Sequence, residues 1–538
     1  MKLPSASEMR ELDRSAIEEY GILGMVLMEN AGSSTVLMME KVLGQASNSF
    51  ALILIGPGNN GGDGLVIGRH LHQRGCEPVF LFLVAPEKLQ GDAASNLHIV
   101  KKLALPLHVL DTAARVQTLP ALYQQLTATG KPCYAIIDAL FGTGLTRAID
   151  GHVVELIRLI NTEAWSAGIP KIAIDIPSGL HADTGMIQGA CIPADHTATY
   201  GCAKPGQLLE YGLEVCGRLH VLDIGIPPAA LAAIAIQQEA FTNQEATRAL
   251  AKIKRSTTSH KGSNGHLLVL AGSIGKTGAA ILSVTGALRS GCGLVSLCCP
   301  QDLNVIFETR LVEAMTIPLP ASNAAIGIDD LTTIEQHLHG KKALVIGPGL
   351  GMAEQTAQLV LHLYHTVEAP MVIDADALNI LAQYKNQLQP PPGPRIFTPH
   401  PGEMARILGI SVAKVQEDRI LAARTACQLL DQTAGLCTVI LKGAGTVIVS
   451  EGGKTWINTS GNPGMATGGM GDVLSGIIGA LICQGLCPQE AACTAVYLHG
   501  MAGDELYDIM GAGYSATELA DTLPRSIKQL NKQGDLSC

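Results

Sequence analysis

The chain has 538 residues, 47% hydrophobic but only 4% aromatic and 16% charged, with 59 glycines and a formal net charge of −10. At about 100–200 residues per domain it is too long for one ordinary core, so two large or three small domains are expected. Low charge with abundant aliphatic residues excludes a disordered chain, glycine without a G-x-y period excludes collagen, and an acidic balance without a dense Lys/Arg run removes any global drive to bind nucleic acid.

The N-terminus, MKLPSASEMRELDRS, lacks the apolar centre of a secretory signal. The nearest approach to a membrane span, Val473 to Cys483, falls short of the about 18–20 apolar residues required. A cytoplasmic protein without membrane or nucleic-acid partners is expected. The 14 cysteines include no C-x-x-C, which favours buried reduced thiols over zinc ligands.

Short apolar runs recur along the first part: Ala51–Gly56, Val79–Val84, Tyr134–Asp138, Lys171–Ile176 and Leu219–Ile224. Amphipathic stretches such as Leu65–Arg74 and His152–Ile160 lie between several of them. Continuous apolar strands alternating with helices predict an α/β fold, a parallel sheet covered on both faces. Residues 226–255 break the rhythm with a Pro pair, an Ala-rich stretch and polar residues, and read as a linker with some helix. Strand-like runs then resume at His266–Ala271, Ala343–Gly347, Met371–Asp374, Arg395–Thr398, Thr438–Lys442 and Thr446–Ser450. Gly443-Ala444-Gly445 between the last two predicts a hairpin closing the sheet edge. Two α/β domains, 1–225 and 256–538, account for the length.

Three strand-end clusters mark the first domain. Gly58-Asn59-Asn60-Gly61-Gly62-Asp63-Gly64 follows the strand ALILIG and opens the helical stretch LVIGRHLHQRG. Glycines at such a turn let backbone N–H groups approach an anion, and Asn and Asp add oxygen and amide groups that simple phosphate loops lack. Asp138-Ala-Leu-Phe-Gly-Thr-Gly144 and Asp175-Ile-Pro-Ser-Gly179 end two further strands, and in an open parallel sheet all three loops meet at one crevice. A tight turn with helix-capping carboxylates is the simpler alternative. It accounts less well for two Asp, a Ser and an Asn on one rim.

In the second domain, Ala271-Gly-Ser-Ile-Gly-Lys-Thr277 invites a phosphate-loop reading, but the first Gly of G-x-x-x-x-G-K-[ST] falls at Leu270, inside the preceding strand. A glycine-rich turn closing on substrate is expected instead. The segment Asn462-Pro-Gly-Met-Ala-Thr-Gly-Gly-Met-Gly-Asp472 carries four Gly and is followed by the helical stretch VLSGIIGALI. Backbone N–H groups at that helix start can stabilise charge developing in phosphoryl transfer, and Asp472 sits where a base takes a proton from an attacking hydroxyl. A glycine-rich helix entry with a first-turn carboxylate is the alternative.

GNNGGDG, DALFGTGL, DIPSG, Lys204-Pro-Gly206 and Met28-Glu-Asn-Ala-Gly32 together resemble the epimerase domain of NAD(P)H-hydrate repair enzymes, over nearly all of residues 1–225. The resemblance implies a Rossmann-like three-layer open sheet. It implies that the hydrated dinucleotide is held by Asn59, Asn60, Gly61, Gly62 and Asp63, and by Gly142, Thr143, Gly144, Leu145, Thr146, Arg147 and Ala148. Asn60, Asp138 and Ser178 would ligate K+, a hard cation suited to oxygen donors. Asp175 would contact the damaged nicotinamide ring, and is the candidate base for inversion at the hydrated carbon.

KGSNGHLLVLAGS, Thr277-Gly-Ala-Ala280, Ile346-Gly-Pro-Gly-Leu-Gly351, Thr398-Pro-His-Pro-Gly-Glu403, Leu441-Lys-Gly-Ala-Gly-Thr446 and NPGMATGGMGD resemble the ADP/ATP-dependent NAD(P)H-hydrate dehydratases, a branch of the ribokinase-like fold, over most of residues 258–530. By that resemblance Lys442, Gly443, Ala444, Gly445 and Thr446 bind the adenine nucleotide. So do Asn462, Pro463, Gly464, Met465, Ala466, Thr467, Gly468, Gly469, Met470 and Gly471. Gly349, His400, Pro401, Gly402, Glu403, Met404, Ala405, Arg406 and Asp472 would bind the hydrated nicotinamide nucleotide. Mg2+ would screen the phosphates, with ADP as the usual donor in fused chains and ATP as its alternative. A homo-oligomer is expected. Two other readings remain at this stage: a ribokinase-like small-molecule kinase acting on a vitamin precursor, with an accessory first domain, and a first domain that is only a binding scaffold.

Overall fold

The computed structural model describes residues 1–145, 147–430 and 435–535. They form two compact units, one of Lys2–Gln237 and one that runs from Gln238 onward and includes Met1.

The first unit is built on β1 (Ser49–Ile55), β2 (Cys76–Phe82), β3 (Leu107–Val109), β4 (Cys133–Ala139), β5 (Lys171–Ile174), β6 (His196–Tyr200) and β7 (Arg218–Leu222), in the spatial order β3-β2-β1-β4-β5-β6-β7. Every neighbouring pair is parallel. Alternate residues of β1 enter opposite cores, Ala51, Ile53 and Ile55 in one and Phe50, Leu52 and Leu54 in the other. Both faces are covered, which is why the strand reads as a continuous apolar run. The order reverses between β1 and β4, the position at which open parallel sheets take their ligands.

The second unit contains β8 (Gln238–Phe241), β9 (His266–Leu270), β10 (Leu294–Pro300), β11 (Met315–Leu319), β12 (Ala343–Ile346), β13 (Met371–Ile373), β14 (Arg395–Phe397), β15 (Cys437–Leu441), β16 (Val447–Val449) and β17 (Thr455–Asn458). Their order is β11-β10-β9-β12-β13-β14-β15-β16-β17-β8, with a reversal between β9 and β12.

Two expectations need correction. The β15–β16 hairpin forms, but it does not close the sheet: β17 pairs antiparallel with β16, and β8 then adds in parallel to β17. The stretch read as a linker with some helix holds the helix Pro228–Ala233, and from Gln238 onward it is part of the second unit. It supplies that edge strand and the helix Asn243–Lys252, whose Ala246, Ala249 and Leu250 enter the second core. Polar residues mislead here because an edge strand and a half-exposed helix each need only one apolar face.

The apolar run ending at Cys483 lies in the helix Met470–Gln484, buried along most of its length. Among the described residues no helix is long and apolar enough to cross a membrane. The described cysteines are free thiols, buried apart from Cys133 and Cys487. Cys538 lies outside the described residues.

The helix Met470–Gln484 packs closely on the helix Thr277–Arg289 through glycine. A Cβ at Gly476 would meet the Ser283 carbonyl oxygen at 1.9 Å, and one at Gly286 the Val473 carbonyl oxygen at 2.5 Å. Gly476→Ala is therefore expected to destabilise the second unit by about 2 kcal/mol, read as a lower urea midpoint for its unfolding. An unchanged midpoint would show that the helices are free to separate.

Candidate active sites

In the first unit the loops after β1, β4, β5 and β6 converge. The helix Asn59–Gln73 starts directly after the β1 turn, so Asn60, Gly61, Gly62 and Asp63 are buried in its opening turns rather than in a loop before it, and Asn59 is exposed. Asp138, buried at the end of β4, accepts hydrogen bonds from the Ser178 hydroxyl (2.6 Å) and the Ser178 N–H (2.8 Å). The Phe141 N–H donates to the Ser178 oxygen at 2.9 Å, tying the β4 and β5 loops together. Burial pushes the Asp138 carboxyl up to about 6, against the Ser178 bonds that lower it.

Asp175 leaves β5 with φ +62°, a left-handed conformation that is uncommon outside glycine. Its Oδ1 is ion-paired with the fully buried Lys204. Lys204 also donates to Thr199 Oγ1 (2.9 Å) and the Tyr200 carbonyl (3.2 Å). Asp175 Oδ2 and Asn60 Oδ1 flank Gly142, at 3.3 and 3.4 Å from where a Cβ would lie. Asn60 Nδ2 is buried without a hydrogen-bond partner. Asp63 is raised well above the usual carboxylate range by burial, then by Asp175 and Asp13. Asp13, on the helix Ala6–Glu18, rises to about 6 through burial and then Asp175. Sequence reasoning assigned no role to Lys204 or Asp13. Lys204 stood inside a recognised motif, whereas Asp13 lies in an ordinary amphipathic helix and carries no signal. Gly142, Thr143, Gly144, Leu145, Arg147 and Ala148 follow β4, Arg147 and Ala148 on the surface. Thr146 lies outside the described residues.

In the second unit the loops after β9 and β12 touch at the strand-order reversal. Ser273 Oγ donates to the Gly349 carbonyl (2.8 Å), and a Cβ on Gly349 would meet the Lys276 backbone oxygen at 2.7 Å. Asp374, at the end of β13, is 1% exposed. It accepts from Lys442 Nζ at 2.9 Å and from Ser475 Oγ at 2.6 Å. Glu403 lies 4.0 Å from the same ammonium and caps the His400 N–H at 2.8 Å. Burial draws the Lys442 pKa down, but Asp374, Glu403 and Asp472 outweigh it and leave it raised, so the lysine is charged. Burial lifts Glu403 to about 7, opposed chiefly by Lys442.

The predicted run His400–Arg406 divides between two faces. His400 caps the helix Pro401–Leu408, while Met404 and Ala405 turn into the core and Arg406 bonds Asn379 at 2.8 Å. Helical periodicity forces this split. Arg419 donates to the Leu441 and Lys442 carbonyls at 3.1 Å, fixing the start of the Lys442–Thr446 turn. Asn462 is anchored separately, donating to Asp504 (2.9 Å) and bonded to the Tyr514 hydroxyl (3.0 Å). Asp374, Ser475, Arg419 and Asp504 were missed as site residues. Asp374 alone had a legible signal, a carboxylate ending an apolar strand.

Residues 267–525 match a family model described as NAD(P)H-hydrate dehydratase, and residues 24–206 one described as YjeF-related protein N-terminus. The chain is 42% identical to the bifunctional NAD(P)H-hydrate repair enzyme Nnr of Moorella thermoacetica, over 99% of this chain and 98% of that protein. The protein of the same name from Thermofilum pendens is 35% identical, over 99% of this chain and 97% of its own length. A solved ADP/ATP-dependent NAD(P)H-hydrate dehydratase from Bacillus subtilis, co-crystallised with ATP and Mg2+, is 34% identical with a TM-score of 0.47, covering 55% of this chain and 100% of that one.

Burial, then the neighbouring Asp374 carboxylate, hold Asp472 up at about 6, and Lys442 opposes them. Asp472 is thus expected to be half-protonated near pH 6 in a carboxyl-carbon NMR titration, and Lys442→Met to move that midpoint upward. A midpoint near the ordinary aspartate value in the unmodified chain would contradict the burial argument.

Proposed function

The chain belongs to the family of bifunctional NAD(P)H-hydrate repair enzymes, and from that membership we propose how its two units divide the work. The first interconverts the R and S epimers of hydrated NADH or NADPH. The second dehydrates the S epimer, with ADP, or ATP in its place, as phosphoryl donor. The kinase and scaffold readings lose their ground, because both halves belong to one repair family. The observation that carries the proposal is that each unit sets a lysine–aspartate pair with one buried partner at its strand ends, Lys204–Asp175 and Lys442–Asp374.

For epimerisation, Lys204 occupies one oxygen of Asp175 and leaves the other facing Gly142 and Asn60, on the side where a ring would enter. As the ring nitrogen expels the hydroxyl from one face and water adds to the other, that free oxygen can take a proton from the adding water and return it to the departing hydroxide, so that the hydrated carbon inverts. The oxygen donors Asn60, Asp138 and Ser178 fit a hard monovalent cation. When bound, K+ supplies positive charge against the substrate's phosphates. Among the described residues no group of three or more His, Cys, Asp or Glu could hold a metal ion. Mg2+ fits as an ion carried in on the nucleotide's phosphates, as is usual for it.

For dehydration, Asp472 takes the proton of the ring hydroxyl as that oxygen attacks the terminal phosphorus of ADP. The bond to AMP breaks, and a phosphate ester replaces a poor hydroxide leaving group. The ring nitrogen then expels phosphate. Loss of a proton from the neighbouring ring carbon restores the double bond of the reduced cofactor. Small-molecule substrates suffice for both reactions, and a homo-oligomer is the proposed assembly.

Incubating both epimers of hydrated NADH with the protein, ADP or ATP, Mg2+ and K+ is expected to restore the reduced-nicotinamide absorbance. No recovery with either donor would reject the proposal. Asp175→Asn is expected to slow epimerisation by about 100-fold or more while dehydration of the S epimer continues. Exchanging K+ for a bulky organic cation should likewise slow only epimerisation. Full epimerisation by Asp175→Asn would remove Asp175 as the base.

A further inference from the structure

Asp374 has no part in the chemistry derived above, yet it is the most thoroughly enclosed carboxylate of the second site. A buried carboxylate is costly unless paired and hydrogen-bonded, and replacing such a pair by apolar residues is often neutral or stabilising. Core stability alone therefore does not call for it. Its two oxygens are divided between partners, Oδ1 taking Lys442 Nζ at 2.9 Å and Oδ2 taking Ser475 Oγ at 2.6 Å. Ser475 lies one turn into the helix Met470–Gln484 and also donates to the Gly471 carbonyl at 3.1 Å. Asp374 is thereby fixed to the same helix start that carries Asp472.

The position of the ammonium is informative. Lys442 Nζ lies 3.1 Å from where a Cβ on Gly471 would be, against the opening turn of that helix. The first N–H groups of a helix have no intrahelical partners and carry partial positive charge, so a cation beside them is unfavourable by itself. Here it is held by Asp374 and by Glu403, 4.0 Å away, with Asp472 and His400 also facing it. Arg419 fixes the Lys442 carbonyl from behind. A cation kept against a helix dipole by buried carboxylates is poised for an incoming anion.

We propose that Asp374 is a positioning residue of the dehydration reaction: steadied by Ser475, it holds the Lys442 ammonium at the start of the helix Met470–Gln484, where the donor's terminal phosphoryl group is transferred. This rests on the dehydratase reading above. Lys442 then meets the charge that builds on the transferring group, rather than only contributing to nucleotide affinity. Its pre-set position spares the reorganisation a mobile lysine would need.

The test compares Asp374→Asn, Ser475→Ala, Lys442→Met and the Asp374→Asn/Lys442→Met double variant in steady-state dehydration, with the urea midpoint of the second unit as the folding control. Asp374→Asn is expected to lower kcat by about 100-fold with both KM values within about threefold of the unmodified chain. Ser475→Ala leaves the ion pair in place and should lower kcat by about tenfold, which keeps the idea testable if Asp374→Asn misfolds. The double variant should be no slower than Lys442→Met alone, because Asp374 acts through that lysine. Unchanged kcat in Asp374→Asn or in Ser475→Ala, a loss confined to KM, or additive losses in the double variant would each overturn the role. An unmodified chain that restores no reduced cofactor would instead remove the functional reading, and this role with it.

Discussion

Parallel strands cannot be joined by tight hairpins, so each must be followed by a crossover that returns the chain to the same starting edge. All their carboxyl ends then gather along one rim, and everything chemical in this protein follows from that constraint. The residues that matter are far apart in sequence, from Asn60 to Lys204 in one unit and from Ser273 to Ser475 in the other, yet they stand at adjacent strand ends. Strand order reverses between β1 and β4 and again between β9 and β12, the places at which open parallel sheets take their ligands.

Glycine and buried charge share the work at these rims. Glycine lets backbone come close: at Gly349 it brings the β12 loop onto Lys276, and at Gly476 it draws a helix against its neighbour. Buried charge supplies the electrostatics in a setting where water cannot screen it. The same burial lifts Asp138, Glu403 and Asp472 toward neutral pH, so that these carboxyls hold or release protons where a repair reaction would run. In each unit a lysine–aspartate pair anchors the arrangement.

Much of the framework was legible because strands covered on both faces must be apolar throughout. β1, β4, β9, β12 and β15 are such strands. β6, with its sequence HTATY, was not visible, because its threonines find partners only in the folded chain, Thr197 at the Cys216 carbonyl and Thr199 at the Cys202 carbonyl. β11 carries a proline and β17 reads TWIN, neither of which announces a strand. β8 was hidden in an apparent linker, since its pairing with β17 joins residues more than two hundred positions apart.

The sequence by itself determined the two α/β layers, the glycine loops and the family, because local periodicity and short motifs are properties of contiguous residues. It also pointed to Asp138, Asp175 and Asp472, each standing at the end of a strand or the start of a helix. Only the tertiary structure decided which groups face them. Lys204 reaches Asp175, Lys442 and Ser475 meet at Asp374, and Arg419 grips the turn beside Lys442. Such pairings depend on the order of strands in a sheet and the approach of helices through glycine, and neither is written in any local stretch of chain.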